Sequence, residues 1–86
     1  MYFVYIIENK EGRHYVGYTS NLVQRIKDHN SNKGRWTKKK GPWRLVYQEA
    51  RSIKEEAYSR EQQIKRYKGG RAFKILLNKS AIQISF

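Results

Sequence analysis

β-Branched and aromatic residues near the N-terminus predict two paired strands. The first run covers Tyr2–Glu8 and is followed by the turn-forming sequence Asn-Lys-Glu-Gly. A second run of the same kind covers residues 13–18 and predicts an antiparallel partner. We expect Gly12 in the loop to adopt a positive φ, which glycine does without steric cost. The start of the chain therefore predicts a β-hairpin.

A change to helical spacing follows the hairpin. Asn21 is a suitable N-cap, and Gln24 stands three residues later, at the spacing of a capping box. The helix should end near Asn30, where Asn, Ser and Gly accumulate. Two polar side chains share its inward stripe with two apolar ones: Leu22, Arg25, Ile26 and His29.

Residues 43–50 alternate enough for a third strand, and a second helix is predicted after it. Ser52 and Glu55 have the spacing of a capping box at the start of this helix, and the glycine pair at 69–70 ends it. Its expected inward face consists of Ile53, Ala57, Ile64 and Tyr67.

Residues 71–78 predict a short third helix with Phe73, Leu76 and Leu77 on its apolar side. Residues 79–86 suit a strand, an extended segment or a disordered tail equally well. The predicted element order is β-β-α-β-α-α. In a chain of 86 residues, we expect one domain over residues 1–86 with its core at about 2–78.

The composition excludes several classes of protein. Cysteine is absent, so disulfides and thiolate metal sites are excluded. The longest apolar stretch, residues 3–7, is too short to span a membrane, and no secretory pattern is present. We therefore expect a cytoplasmic protein that does not bind membranes.

Positive charge is the dominant feature of the composition. Nineteen Lys and Arg against seven Asp and Glu give a net charge of +12. Such a density attracts polyanions, of which nucleic acid is the commonest, although a basic domain without chemistry would bind them too. A basic loop with an aromatic ring for base stacking is the expected contact surface: Lys33, Arg35, Trp36, Lys38, Lys39 and Lys40.

Three polar residues lie on predicted inward faces and are candidates for chemistry. Glu61 falls on the apolar stripe of the second helix, where a carboxylate is either paired with a cation or bound to Mg²⁺ or Mn²⁺. Arg25 and His29 are one turn apart on the first helix. They either extend to solvent at the edge of the stripe, or contact a phosphate and move a proton.

The predicted hairpin supplies two more candidates and a glycine. Tyr5 and Tyr15 lie near the centres of the two strands, where cross-strand packing and proton transfer are both open to a phenol. Gly17 weakens its strand unless another group approaches the backbone closely. We expect a ligand near this position.

These residues in order resemble the signature of the GIY-YIG nuclease superfamily. The two triplets are Phe3-Val4-Tyr5 and Tyr15-Val16-Gly17, followed by Arg25, His29 and Glu61. The likeness covers about residues 2–78 and is greatest to short members related to the N-terminal nuclease module of the excision-repair incision subunit. It implies an α+β fold in which a three-stranded antiparallel sheet is flanked by helices. The glycine and isoleucine of the first family triplet are replaced here, but its tyrosine is present.

The resemblance also implies a metal-dependent endonuclease acting on DNA rather than RNA, with a role in DNA repair. Tyr15 or Tyr5 would deprotonate or orient the attacking water, and Arg25 would stabilise the phosphate. His29 would position the phosphate or the tyrosine. Glu61 would hold one Mg²⁺ or Mn²⁺ ion. A protein partner for targeting is expected, because no recognition domain is appended.

Two other interpretations stay open. A nucleic-acid-binding module with the same fold and little or no turnover would use the basic loop as its main surface. A structural or protein-interaction domain for acidic partners would account for the charge. It would not account for the inward positions of Arg25, His29 and Glu61.

Overall fold

The computed structural model describes residues 1–31 and 37–83, with side chains described as far as residue 78. The element order β-β-α-β-α-α is the one that the sequence predicts, and the α+β fold is confirmed. The elements are β1 Tyr2–Glu8, β2 His14–Thr19, α1 Leu22–Asn30, β3 Arg44–Arg51, α2 Lys54–Lys65 and α3 Arg71–Gln83.

The three strands form an antiparallel sheet in the order β2-β1-β3, so β1 is its central strand. Gly12 closes the β1–β2 hairpin with a φ of +80°, as predicted. The side chain of Asn9 shapes the same turn, because its Oδ1 accepts hydrogen bonds from the backbone N–H groups of Glu11 and Arg13. In the resulting register Tyr5 lies opposite Gly17.

The alternation of β1 gives the sheet two different faces. Val4 and Ile6 point to the face covered by α2 and α3, where they are fully buried. Ala57, Ile64, Phe73 and Leu76 pack there as predicted, and Tyr67 is half-buried. This apolar layer is the larger of the two core clusters.

The opposite face of the sheet is covered by α1. Tyr5 and Ile7 of β1 lie there, together with Trp43 at the entrance to β3. Leu22 and Ile26 of α1 pack against them. A polar residue at the centre of this layer, Tyr5, must find a hydrogen-bond partner inside the protein.

Helix α1 begins as the sequence predicts, with one difference at its cap. Asn21 Oδ1 accepts from the backbone N–H of Gln24 at 3.1 Å. The returning half of a capping box does not form, because Asn21 N–H already donates to Thr19 Oγ1. Gln24 instead donates to Asp28, one turn further along the helix.

The predicted start of α2 is wrong by one residue. Ile53, not Ser52, occupies the N-cap position, and no side chain accepts a hydrogen bond from the first turn. Ile53 is in an extended conformation and is 51% exposed, so its expected inward position is also wrong. Glu55 and Glu56 lie in the first turn, where their negative charges interact favourably with the positive end of the helix dipole. This interaction stabilises the start of the helix in place of a side-chain cap.

Other boundaries also differ from the prediction. Helix α2 ends at Lys65 and not at the glycine pair 69–70, so Tyr67 lies beyond the helix. The second and third strands each begin and end one residue later than expected. Helix α3 continues through Gln83, five residues beyond its predicted end, because neither glycine nor proline interrupts residues 71–83. Within the described part of the chain, no helix is both long and apolar enough to span a bilayer.

We expect Ile64→Ala to lower the free energy of unfolding by about 2–4 kcal/mol, because it opens a cavity in the apolar layer. Ile64 is fully buried on α2. Ile75→Ala on α3 is the matched control, since Ile75 is 47% exposed, and should cost less than about 1 kcal/mol. Urea unfolding monitored by circular dichroism measures both. Equal losses would contradict the assignment of Ile64 to the core.

Candidate active site

A buried hydrogen bond joins the central strand to the end of α1. The hydroxyl of Tyr5 lies 2.8 Å from Nε2 of His29. Each residue is only 1% exposed. Tyr5 is carried inward by the alternation of β1, and His29 by its place on the inward stripe of α1. The pair therefore satisfies two polar groups inside the face that α1 covers.

The second ring nitrogen of His29 contacts a residue to which the sequence analysis gave no role. His29 Nδ1 lies 2.7 Å from Oγ1 of Thr37, which is also 1% exposed. Thr37 stands in a basic, irregular segment, and no periodicity or motif there singles out a buried hydroxyl. Only the tertiary structure places it against α1.

Gly17 is explained by Tyr5. A Cβ atom at position 17 would lie 2.6 Å from the hydroxyl oxygen of Tyr5 and 2.8 Å from its Cζ. It would also lie 3.1 Å from Cε1 of Tyr15. The sequence predicts a ligand near this glycine, whereas the group that approaches its backbone closely is the phenol ring of Tyr5, which extends to His29.

Arg25 and Tyr15 lie at the more accessible side of the pair. Arg25, one turn before His29, is half-buried and interacts with both phenols. Its hydrogen bonding to Tyr5 is the main reason that its pKa is raised above the ordinary arginine value. The ring of Tyr15 lies 5.0 Å from that of His29 and 6.4 Å from that of Tyr5. Tyr15 is itself half-buried.

Burial keeps both members of the central pair neutral. It raises the pKa of Tyr5 to about 12, although hydrogen bonding to Arg25 acts in the opposite direction. Burial also lowers the pKa of His29 to about 4, and the positive charge of Arg25 adds to that effect. Near neutral pH the proton therefore stays on Tyr5, and His29 carries no charge.

Glu61 approaches this cluster from α2. The residue is 7% exposed and lies on the helix face that also carries the fully buried Ala57 and Ile64. Its negative charge is close enough to contribute to the raised pKa of Tyr5. Oε1 accepts from Gln62 Nε2 at 2.8 Å and pairs with Lys65 Nζ at 3.4 Å. Both contacts use the same carboxylate oxygen.

The pairing with Lys65 does not by itself explain a buried carboxylate. The side chain of Lys65 is 45% exposed, and an exposed ion pair at this helical spacing stabilises by only about 0.3–0.5 kcal/mol. Among the described residues, no group of three or more His, Cys, Asp and Glu side chains is arranged to hold a metal. A single carboxylate suits a hard cation such as Mg²⁺, which keeps water ligands and takes further oxygens from a phosphate.

The described part of the basic loop is anchored beside His29. Lys38, Lys39 and Lys40 are exposed, whereas Lys33, Arg35 and Trp36 lie outside the described residues. The backbone oxygen of Thr37 accepts from Trp43 Nε1 at 3.0 Å. That of Lys40 accepts from Asn9 Nδ2 at 3.0 Å.

Asn30 completes the anchor. Its Oδ1 accepts from the backbone N–H of Trp43 at 2.6 Å, and its Nδ2 donates to the backbone oxygen of Trp43 at 3.0 Å. The end of α1 is thereby fixed to the segment that follows the loop. The contacts of Asn9 with Lys40 and of Asn30 with Trp43 have no signal in the sequence, because asparagine in a turn or at a helix end is ordinary and these partners are distant.

The predicted site residues therefore converge on the face that α1 covers. Tyr5 bonds His29, the ring of Tyr15 lies beside both, and Arg25 interacts with the two phenols. The charge of Glu61 on α2 acts on Tyr5. Gly17 lies directly beneath the Tyr5 ring. The alternative that Arg25 and His29 extend to solvent at the edge of the inward stripe does not hold for His29, because His29 is buried.

We predict that His29 makes stability depend on pH. Its pKa of about 4, against an ordinary 6.5, means that the unfolded chain binds more protons between these values, so stability rises with pH. The contribution is complete above about pH 7, and roughly 3 kcal/mol is lost as the pH falls to 4. Urea unfolding of wild type and His29→Gln from pH 4 to 7.5 isolates it. An identical pH dependence in both proteins would contradict the prediction.

Comparison with known proteins places this cluster in a family. Residues 1–73 match the family model of the GIY-YIG catalytic domain. A UPF0213 protein of Staphylococcus haemolyticus is 42% identical over 76 residues, which cover 87% of this chain and 93% of that protein. A UPF0213 protein of Clostridium perfringens is 41% identical over 81 residues, which cover 93% of this chain and 87% of the relative.

A solved structure agrees with these relatives. The solution NMR structure of a UPF0213 protein from Bacillus halodurans is 42% identical, with a TM-score of 0.53. The match covers 92% of this chain and 84% of that one. With the ordered residues of both strands and both helices in place, the chain belongs to the GIY-YIG catalytic domain family.

Proposed function

We propose that the protein is an endonuclease that hydrolyses DNA phosphodiesters with the help of one divalent metal ion. The observation that carries the proposal is the meeting of Arg25, Tyr15 and the buried Glu61 around the Tyr5–His29 pair. Phosphodiester hydrolysis needs an oriented water, stabilisation of negative charge on the phosphate and protonation or stabilisation of the leaving oxygen. The cluster offers Tyr15 for orienting the water and Arg25 for stabilising charge on the phosphate.

Tyr15 is the better candidate than Tyr5 for orienting the attacking water. The Tyr5 hydroxyl is 1% exposed, is hydrogen-bonded to His29, and has a pKa of about 12. It therefore keeps its proton and holds a fixed position. Tyr15 is half-buried and faces Arg25, so water and a phosphate can approach the two groups together. Tyr5 and His29 then serve as positioning residues behind them.

Arg25 is suited to binding the scissile phosphate. A guanidinium donates several N–H groups in a planar arrangement that matches phosphate oxygens, and it stays charged at every relevant pH. In this structure it is held by interactions with the phenols of Tyr5 and Tyr15. Preorganisation of this kind lets a cation stabilise the charge that develops during attack without first having to reorient.

Glu61 would hold the metal through its carboxylate. The donor set fits, because a single buried carboxylate and substrate oxygens are what Mg²⁺ or Mn²⁺ takes in nuclease-type sites. When bound, the ion supplies a Lewis acid that stabilises charge on the phosphate and the leaving oxygen. The burial of Glu61 beside Ala57 and Ile64 limits the motion of its carboxylate.

The alternative of a binding module with little turnover is favoured by the basic loop. Lys38, Lys39 and Lys40 are exposed, and their segment is anchored next to the site. They are placed to contact the phosphate backbone of DNA in either case. Cleavage and binding must therefore be measured separately.

We expect Glu61→Gln and Arg25→Ala each to reduce nicking of supercoiled plasmid by about 100-fold or more, with Mg²⁺ or Mn²⁺ present. Glu56→Gln and Arg66→Ala are matched controls, because these residues are exposed and lie on or next to the same helix. They should retain wild-type rates. DNA binding by Glu61→Gln should persist. Undiminished cleavage by both site variants, or no cleavage of any DNA by wild type, would refute the proposal that the protein is a nuclease.

We expect simultaneous replacement of Lys38, Lys39 and Lys40 by glutamine to weaken DNA binding and make it less sensitive to salt. Each lost phosphate contact lowers the slope of log K against log salt by about 0.9, so a fall of about 2–3 is expected. Fluorescence anisotropy from low to moderate salt measures the slope. The same change at the exposed Lys54, Lys68 and Lys74 is the control for net charge. Equal effects of the two triple variants would remove the loop from the interface.

A further inference from the structure

The hydrogen bonds around His29 continue beyond the pair with Tyr5. Tyr5 interacts with Arg25 on one side and with His29 Nε2, at 2.8 Å, on the other. His29 Nδ1 lies 2.7 Å from Thr37 Oγ1. The inner residues of this series of hydrogen bonds, Tyr5, His29 and Thr37, are each 1% exposed. A change at Thr37 therefore acts on Tyr5 through one imidazole ring.

The donors and acceptors in this series of hydrogen bonds determine where the protons lie. Arg25 interacts with the Tyr5 hydroxyl, and because a guanidinium can only donate, the Tyr5 oxygen is the acceptor in any hydrogen bond between them. The phenol proton of Tyr5 is then directed to His29 Nε2, which must be the unprotonated nitrogen of a neutral ring. The remaining proton of His29 is on Nδ1, and Thr37 Oγ1 is its acceptor.

We propose that Thr37 is a positioning residue of the active site, because it holds His29 in the Nδ1–H tautomer and thereby keeps Tyr5 oriented toward Arg25. Without an acceptor at Nδ1, the buried ring would carry an unsatisfied donor, and the other tautomer would be favoured. Nε2 would then donate to Tyr5, and the phenol oxygen would lose part of its capacity to accept from Arg25. The bearing of this inference on cleavage rests on the proposed function, but its bearing on His29 does not.

Two contacts fix the position of Thr37, one of its hydroxyl with His29 and one of its backbone with Trp43. Its backbone oxygen accepts from Trp43 Nε1, and the backbone of Trp43 is held by Asn30 at the end of α1. Lys38, Lys39 and Lys40 follow Thr37 directly in sequence. Thr37 therefore also joins the segment that we expect to contact DNA to the histidine that supports the site.

The simplest competing explanation is that Thr37 only fills space. Thr37→Val tests this, because valine has nearly the same shape and lacks the hydroxyl. Thr37→Ser keeps the hydroxyl and removes a methyl group. Thr19→Val is the matched control, because Thr19 is the only other threonine in the chain and its hydroxyl bonds the backbone of Asn21, away from His29.

The decisive readout is the tautomer of His29, observed by ¹⁵N NMR of the imidazole ring near neutral pH. We expect Nδ1–H in wild type, Thr37→Ser and Thr19→Val, with a slowly exchanging proton close in space to the Thr37 methyl group in wild type. We expect Thr37→Val to shift the ring toward Nε2–H. Wild type in the Nε2–H form would overturn the inference without any variant, as would Thr37→Val that keeps Nδ1–H.

Cleavage kinetics give the second readout. We expect Thr37→Val to lower kcat by about 10-fold or more with little change in KM, and Thr37→Ser to restore most of the rate. A tautomer shift in a protein that cuts no DNA would leave the inference about Thr37 standing and refute only the nuclease. A normal kcat in Thr37→Val with a shifted tautomer would refute the positioning role.

Discussion

A hydrogen bond between Tyr5 and His29 joins the central strand of the sheet to the last turn of α1. Both partners are buried, so loss of Tyr5 would leave His29 Nε2 unsatisfied, and loss of His29 would leave the Tyr5 hydroxyl proton without its acceptor, in a place that water does not reach. The neighbouring features depend on this contact: the glycine beneath the phenol, the threonine behind the imidazole and the arginine in front of both. The site is therefore organised around a neutral pair rather than around a charge.

The two faces of the sheet therefore differ in their side chains. The face under α2 and α3 is an apolar layer, with Val4, Ile6 and Ile64 fully buried. The face under α1 is smaller and includes polar groups that must be satisfied individually. Glu61 is the exception, since it belongs to a helix of the apolar layer but acts on Tyr5. It is the point at which the stabilising layer and the site meet.

The arrangement also separates buried groups from accessible ones. Tyr5 and His29 are neutral and inaccessible, whereas Tyr15 and Arg25 are half-buried. Thr37 of the basic loop is attached to His29 of the inner pair, and Lys38, Lys39 and Lys40 after it are exposed. Rigid inner groups and accessible outer groups are what a site needs when catalysis depends mainly on electrostatic preorganisation.

Local sequence signals predicted the element order and much of the site, but not the reasons behind it. Helical spacing placed Arg25 and His29 together, and the Asn21 cap was visible because its partner is three residues away. Ser52 predicted the wrong N-cap, because β3 stays paired as far as Arg51 and the chain is still extended at Ile53. Thr37 and Asn30 were invisible because their partners are distant in sequence or lie across the site, and no periodicity marks such contacts.

Gly17 shows what this tertiary dependence means for how such sequences vary. The space that a Cβ would need at position 17 is occupied by the ring of Tyr5, so the two positions do not have independent tolerance to substitution. A larger residue at 17 requires the ring of Tyr5 to shift or to be shortened, and either change disturbs the bond to His29. Positions 5, 17 and 29 should therefore evolve as one unit. A relative that has lost one of the three would be expected to have lost the constraint on the others.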